Sequence, residues 1–146
     1  MTIEPQTRAL LEQMAASGAP ASLSDLPLEA ARAALQQLSR TMDVARSDVG
    51  RTEDRDIPGP NGGVPIRIYW PPAGPVGSAP PILLLFHGGG YALGDINTHD
   101  NMARYYCARA GVVVINVDYR RSPEHKFPAG IEDCYAALQW AATPRP

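Results

Sequence analysis

Residues Ile82-Leu83-Leu84-Leu85-Phe86 are uninterrupted apolar sequence and are followed at once by His87-Gly88-Gly89-Gly90-Tyr91. A five-residue apolar run without period-2 alternation predicts a strand covered on both faces, the pattern of an interior parallel strand. The three glycines after it bare the backbone. Without Cβ atoms they reach positive φ and can turn successive N–H groups toward one point beyond the carboxyl end of the strand. Such a loop suits developing negative charge, and the rest of the chain must present it.

Two chemistries use loops of this kind. One is an oxyanion hole, for which H-G-G-G ahead of a nucleophile elbow is a known form. The other is a dinucleotide site, in which a G-x-G-x-x-G turn opens a helix under a pyrophosphate. Spacing separates them: a match from Gly88 needs glycine where Leu93 stands, and one from Gly89 needs glycine where Tyr91 stands. Asp118 does close the next predicted strand, as a ribose-binding acid would, so a dinucleotide-binding fragment stays as a third alternative. A glycine turn without chemistry is the bland alternative.

The flanking sequence supplies a βαβ unit. Thr98 to Ala110 has helical texture, with Met102, Tyr105, Tyr106 and Cys107 as its apolar contacts and Gly111 placed to end it. Val112 to Val117 is a second apolar strand broken only by Asn116, so it and Ile82–Phe86 are expected side by side and parallel. Pro128 opens a last helix whose inward face is expected to be Ile131, Cys134, Tyr135 and Leu138. Upstream, Arg51–Ile57 and the alternating Val64–Trp70 read as a hairpin at a sheet edge, turned by Pro58-Gly59-Pro60-Asn61-Gly62-Gly63. Residues 71–81 read as an exposed loop dense in proline and glycine.

Residues 1–50 read as two helices. Leu10, Leu11 and Met14 make a modest apolar patch in the first, whereas Leu28, Ala31, Leu35, Leu38 and Met42 form a clear stripe in the second. The second is expected to pack on its own domain, the alternative being a mobile lid over an apolar pocket. The division expected is a helical cap segment at 1–48 and a catalytic-domain portion at 49–146.

A formal charge of −2 gives no pull toward nucleic acid or anionic membrane. No apolar run is long enough for a membrane span and the start lacks the pattern of a signal peptide, so a cytoplasmic setting is expected. Cys107 and Cys134 stand far apart outside any C-x-x-C and are expected as reduced core residues. His87, His99 and His125 lack metal-ligand spacing, so no metal is expected.

Phe86-His87-Gly88-Gly89-Gly90-Tyr91, then Gly94-Asp95, Thr98-His99, and the block Asp118-Tyr119-Arg120-Arg121-Ser122-Pro123-Glu124-His125-Lys126-Phe127-Pro128-Ala129 with Asp133 beyond it, resemble the bacterial relatives of hormone-sensitive lipase. These are α/β-hydrolase carboxylesterases. Ser122 departs from the alanine usual in that family's Y-R-x-A-P-E. The resemblance implies the N-terminal half of an α/β-hydrolase fold: a helical cap segment, an edge hairpin and a βαβ unit with parallel central strands. It implies a serine mechanism on small-molecule esters of short to medium acyl length, with no cofactor.

By the same resemblance Gly89 and Gly90, with Gly88, supply oxyanion-hole N–H groups, and Tyr91 lines the substrate pocket. His87 supports the loop from within, and Asp118, Arg120 and Glu124, with Asp133, brace it from a charged loop beneath. The family's nucleophile sits in a G-x-S-x-G elbow, and none occurs here; Ser39, Ser47, Ser78 and Ser122 lack that strand-turn-helix context. The expectation is therefore a chain with no catalytic residue of its own, inactive alone. In the family's strand order the nucleophile strand lies beside Ile82–Phe86, so that edge is expected to need a C-terminal segment or self-association to cover it. A non-catalytic binding module for small apolar ligands on the same fold is the alternative function.

Overall fold

A computed structural model describes residues 3–18, 22–41, 45–72 and 80–143. Two helices, α1 (Pro5–Ala16) and α2 (Leu28–Thr41), precede the sheet, with one turn of 3₁₀ helix at Leu23–Asp25 between them. The strands are β1 (Arg51–Gly59), β2 (Gly62–Trp70), β3 (Ile82–Phe86) and β4 (Val113–Val117). Helix α3 (Asp100–Ala110) joins β3 to β4, and α4 (Ala129–Ala142) follows β4.

The four strands form one sheet in the order β1-β2-β4-β3. The hairpin β1–β2 is antiparallel and tighter than its sequence suggests, since Gly59 already pairs with Gly62. β2 runs antiparallel to β4, and β3 runs parallel to β4 from Ile82↔Val113 to Phe86↔Val117, which is the expected crossover unit.

The sheet is covered on both faces, because β4 sends alternate residues to each. Val113, Ile115 and Val117 join Ile57, Val64, Ile66, Ile68 and Ala137, with Cys134 and Trp140 of α4 packed against them. Val114 turns the other way, to Tyr69 and to Ala103 and Cys107 of α3. Tyr69 therefore departs from the alternation expected of β2: it is fully buried on the α3 face while its hydroxyl donates to Asp100 Oδ1 at 2.7 Å.

Several expected core faces are corrected. In α3 the residues that reach the sheet are the small Ala103 and Cys107, whereas Met102, Tyr105 and Tyr106 stay exposed. In α4 the buried positions are Ala129, Gly130, Asp133 and Ala137, and Ile131, Tyr135 and Leu138 are exposed; only Cys134 of the expected set packs inward. Close approach explains both, because small side chains let a helix lie on a β-branched surface that bulky ones would hold away. α3 also starts at Asp100 rather than Thr98, since Asp95–Thr98 is used in a turn of its own.

β3 is the outer strand of the described sheet, and Ile82, Leu83 and Phe86 are exposed, so the two-sided cover expected of an interior strand is absent. That is the bare apolar edge foreseen for a chain without a further neighbouring strand. Leu10 and Leu11 of α1 are exposed, and nothing in α1 is buried. Most of the 71–81 loop, together with Met42 and Ser78, lies outside the described residues. Both cysteines are free thiols, with Cys107 buried. No described helix is long and apolar enough to cross a membrane.

Candidate active site

β3 ends at Phe86, and the glycine loop leaves from the carboxyl edge of the sheet. Its conformation favours glycine at two points, of which only the first leaves no room for a Cβ. Gly89 has φ 128°, and a Cβ there would lie 2.2 Å from the Leu93 carbonyl oxygen; Gly90 has φ 60° with open space around it. Tyr91 is also left-handed, at φ 59°, and its ring is exposed.

Most of the loop carbonyls are held by hydrogen bonds. Tyr119 Oη donates to His87 O at 2.6 Å, and His87 Nδ1 donates to Gly88 O at 3.1 Å. Ala92 N and Leu93 N both donate to Gly89 O, at 3.1 and 2.8 Å, and Ser122 N donates to Tyr91 O at 2.7 Å. Arg32 Nε donates to Ala92 O at 2.9 Å, and Arg121 Nη1 donates to Gly94 O. On the donor side, Gly88 N–H is taken by His99 Nε2 at 3.2 Å. The N–H groups of Gly89 and Gly90 have no acceptor among the described residues. Gly88 is thereby set apart from the other two glycines, because a donor already engaged by an imidazole is not free for a ligand.

His99 owes this role to its tautomer. Its Nε2 accepts from Gly88, so Nδ1 carries the proton and donates to Thr98 Oγ1 at 3.0 Å. Burial and the neighbouring His87 lower its pKa below the usual imidazole value, which keeps Nε2 free to accept. Thr98 is fixed in turn by Asp95, whose Oδ1 accepts from the N–H groups of Asn97 and Thr98 at 2.9 and 2.7 Å. Burial opposes the Asp95 charge, but these donors and Gln36 Nε2, at 2.8 Å, outweigh it and hold the carboxyl below its ordinary range.

Beneath the loop, His87 is almost wholly buried and stacks on Tyr119 with ring centroids 4.1 Å apart. Its Nε2 lies 3.8 Å from Asp118 Oδ1, and neither atom has a hydrogen-bond partner among the described residues. Burial lowers the His87 pKa and raises that of Asp118. Charge is discouraged on both, as befits a structural packing pair under the loop.

The other expected braces act elsewhere. Arg120 makes no hydrogen bond to the glycine loop: its guanidinium grips Asp133, with Nε–Oδ2 and Nη2–Oδ1 both 2.9 Å, and so ties the end of β4 to α4. The neighbouring Arg121 makes the loop contact instead. Two adjacent arginines leave opposite sides of extended backbone, and their order in sequence does not say which side faces the loop. Glu124 is half exposed and turns away to Arg32 of α2, at 2.6 and 2.9 Å, which pulls its pKa down to about 2. Arg32, Tyr119 and His99 were missed as loop supports. For Arg32 nothing in the sequence signals a partner some sixty positions away.

Beside the loop is a cavity of about 400 Å³, lined in part by Gly90, Tyr91, Phe127 and Ile131. Among the described residues no serine or cysteine side chain is hydrogen-bonded to an imidazole; the hydroxyl that is belongs to Thr98. No metal-binding group of three or more His, Cys, Asp or Glu occurs among them either. The N-terminus of α3, where a dinucleotide phosphate would sit, already holds the carboxylate of Asp100, paired with Arg46, Arg67 and Arg104.

Residues 83–145 match the family of the alpha/beta hydrolase fold. The chain is 39% identical over 140 residues to the carboxylic ester hydrolase LipN of Mycobacterium tuberculosis, covering 96% of this chain and 36% of that protein. Esterase LipI of the same organism is 45% identical over 106 residues, 70% of this chain and 33% of its own length. A hyperthermophilic esterase from the archaeon Pyrobaculum calidifontis superposes with a TM-score of 0.86 at 37% identity, covering 97% of this chain and 44% of that one. The chain thus spans about a third of these curated relatives and under half of the solved structure. With the glycine loop, the crossover unit and these relatives in agreement, the chain carries part of an α/β-hydrolase fold and is similar to carboxylesterases related to hormone-sensitive lipase.

Proposed function

We propose that this chain supplies the oxyanion-binding half of a carboxylic ester hydrolase of the serine type, acting on small esters of short to medium acyl length in a cytoplasmic setting. The observation that carries the reading is the polarity of the glycine loop. The carbonyls of His87, Gly88, Gly89, Tyr91 and Ala92 are hydrogen-bonded to the protein, whereas Gly89 and Gly90 keep N–H groups with no acceptor among the described residues. Donors fixed in advance stabilise the oxyanion of a tetrahedral intermediate without reorganising, and each is worth about 2.7–4 kcal/mol.

In this mechanism a serine hydroxyl from a segment outside these 146 residues adds to the ester carbonyl, its proton passing to a general base. The carbonyl oxygen becomes the oxyanion held by Gly89 and Gly90. Collapse expels the alcohol, protonated by the same base, and water hydrolyses the acyl-enzyme by the reverse sequence. Gly88 serves differently from its neighbours, as the point at which His99 fixes the loop. Tyr91 and the adjoining cavity receive the substrate, and residues 1–48 form a cap over it. The segment bearing the serine also covers the exposed edge of β3.

The test is hydrolysis of p-nitrophenyl acetate and butyrate together with the intact mass of the active preparation. Cleavage that requires a second, serine-bearing segment supports the reading. Cleavage by the 146-residue chain alone refutes it, because a residue here would then replace the elbow serine. The cavity beside Tyr91 favours a second reading, a binding module for small apolar ligands, for which ligand-induced stabilisation without product is the signature.

A further inference from the structure

We infer that Arg32 of α2 is a positioning residue for the oxyanion loop, so that this helix is a fixed strut of the site rather than a movable lid. The inference rests on the oxyanion reading of Gly89 and Gly90. All five guanidinium N–H donors of Arg32 are used. Nε donates to Ala92 O at 2.9 Å; Nη2 donates to Ser122 O at 3.1 Å and to Glu124 Oε2 at 2.9 Å. Nη1 donates to Glu124 Oε1 at 2.6 Å and to Glu29 Oε1 at 3.2 Å.

Two of those acceptors are backbone carbonyls on the two segments that form the site's floor. Ala92 closes the turn begun by the Gly89 carbonyl, and Ser122 donates its own N–H to Tyr91 O. One planar cation therefore sets the separation of the glycine loop from the 118–125 segment. Lysine cannot substitute, having three donors on a single nitrogen and no fork to span two carbonyls and a carboxylate. One helical turn later, Gln36 reaches Asp95 Oδ2 at 2.8 Å, so the same face of α2 also holds the far end of the loop. The Arg32 side chain is only 15% exposed, and an opening lid would have to strip it of every partner except Glu29, which lies on α2 itself.

The test compares Arg32→Ala, Arg32→Lys and Glu29→Gln in the intact ester hydrolase. Glu29 is an outlying partner, its side chain 84% exposed. Arg32→Ala is expected to lower kcat about tenfold to hundredfold with KM within about twofold, as a loop displaced by a fraction of an ångström misplaces its donors. Arg32→Lys should fall between, and Glu29→Gln should match the parent. Amide hydrogen exchange at Ala92 and Leu93, whose N–H groups close the turn, should accelerate in Arg32→Ala. A lowered melting temperature with unchanged kcat per folded molecule would overturn the inference, as would a raised KM at unchanged kcat. If Arg32→Ala does not fold, Arg32→Lys carries the same comparison. If the parent cleaves no ester, the functional reading fails and the exchange experiment decides the strut alone: faster exchange sustains it and unchanged exchange refutes it.

Discussion

Adding one methyl group at Gly89 and at Gly90 separates backbone necessity from simple glycine preference. At Gly90, φ is 60° and a Cβ meets nothing within 4 Å, so alanine bears only the left-handed penalty of about 1–2 kcal/mol. At Gly89, φ is 128° and the Cβ would sit 2.2 Å from Leu93 O and 2.4 Å from Leu93 C. Those are backbone atoms and cannot swing aside. Relief requires opening the turn, which loses the bonds of Ala92 N and Leu93 N to Gly89 O, at about 1 kcal/mol each, on top of about 1–3 kcal/mol of backbone strain.

Gly89→Ala is therefore expected to destabilise the protein by about 3–5 kcal/mol, or to re-form the loop in another shape. With its donor displaced, kcat should fall about 10²–10³-fold. Gly90→Ala should cost about 1–2 kcal/mol and less than about tenfold in kcat. Urea unfolding curves and ester hydrolysis in parallel read both. Equal stability within about 0.5 kcal/mol and equal kcat for the two variants would refute the geometric argument.

Three further expectations follow from the supports. Asp133→Asn leaves the Arg120 guanidinium facing a neutral amide at a nearly fully buried site, for a loss of about 3 kcal/mol by urea titration; a change under about 1 kcal/mol would show that the Arg120–Asp133 pair does not brace α4. Burial and the neighbouring His87 hold the folded pKa of His99 below its ordinary 6.5, so the part of the stability that depends on a neutral ring is full above pH 6.5 and is lost as pH falls through the folded value. The Gly88 amide resonance should titrate together with the His99 ring; a Gly88 signal indifferent to that titration would show that the N–H is not held by Nε2. Replacing the half-exposed Ile82 by lysine should reduce self-association of the isolated chain in sedimentation velocity, and an unchanged sedimentation coefficient distribution would remove β3 as the associating edge.

Which elements exist, and in what order, follows from local sequence. The apolar runs of β3 and β4, the stripe of α2, the Pro-Gly-rich hairpin turn and Gly111 as helix stop each carry a signal readable within a few residues. The parallel pairing of β3 with β4 follows too, since a helix between two apolar strands admits little else. So does the left-handed backbone at Gly89 and Gly90, because consecutive glycines have few other uses.

Tertiary structure decided what each side chain faces. The sheet selected Ala103, Gly130 and Ala137 over the larger apolar residues beside them, because the distance of closest approach is set by both surfaces together. It chose Arg121 over Arg120 for the loop, turned Glu124 outward, and used the Gly88 N–H on His99, so that two glycines rather than three keep open donors. Arg32 acquired its part from five acceptors contributed by α2, the glycine loop and the segment after β4. Glycine codes for a permitted backbone by itself, whereas a hydrogen-bond partner is defined only once distant segments have been brought together.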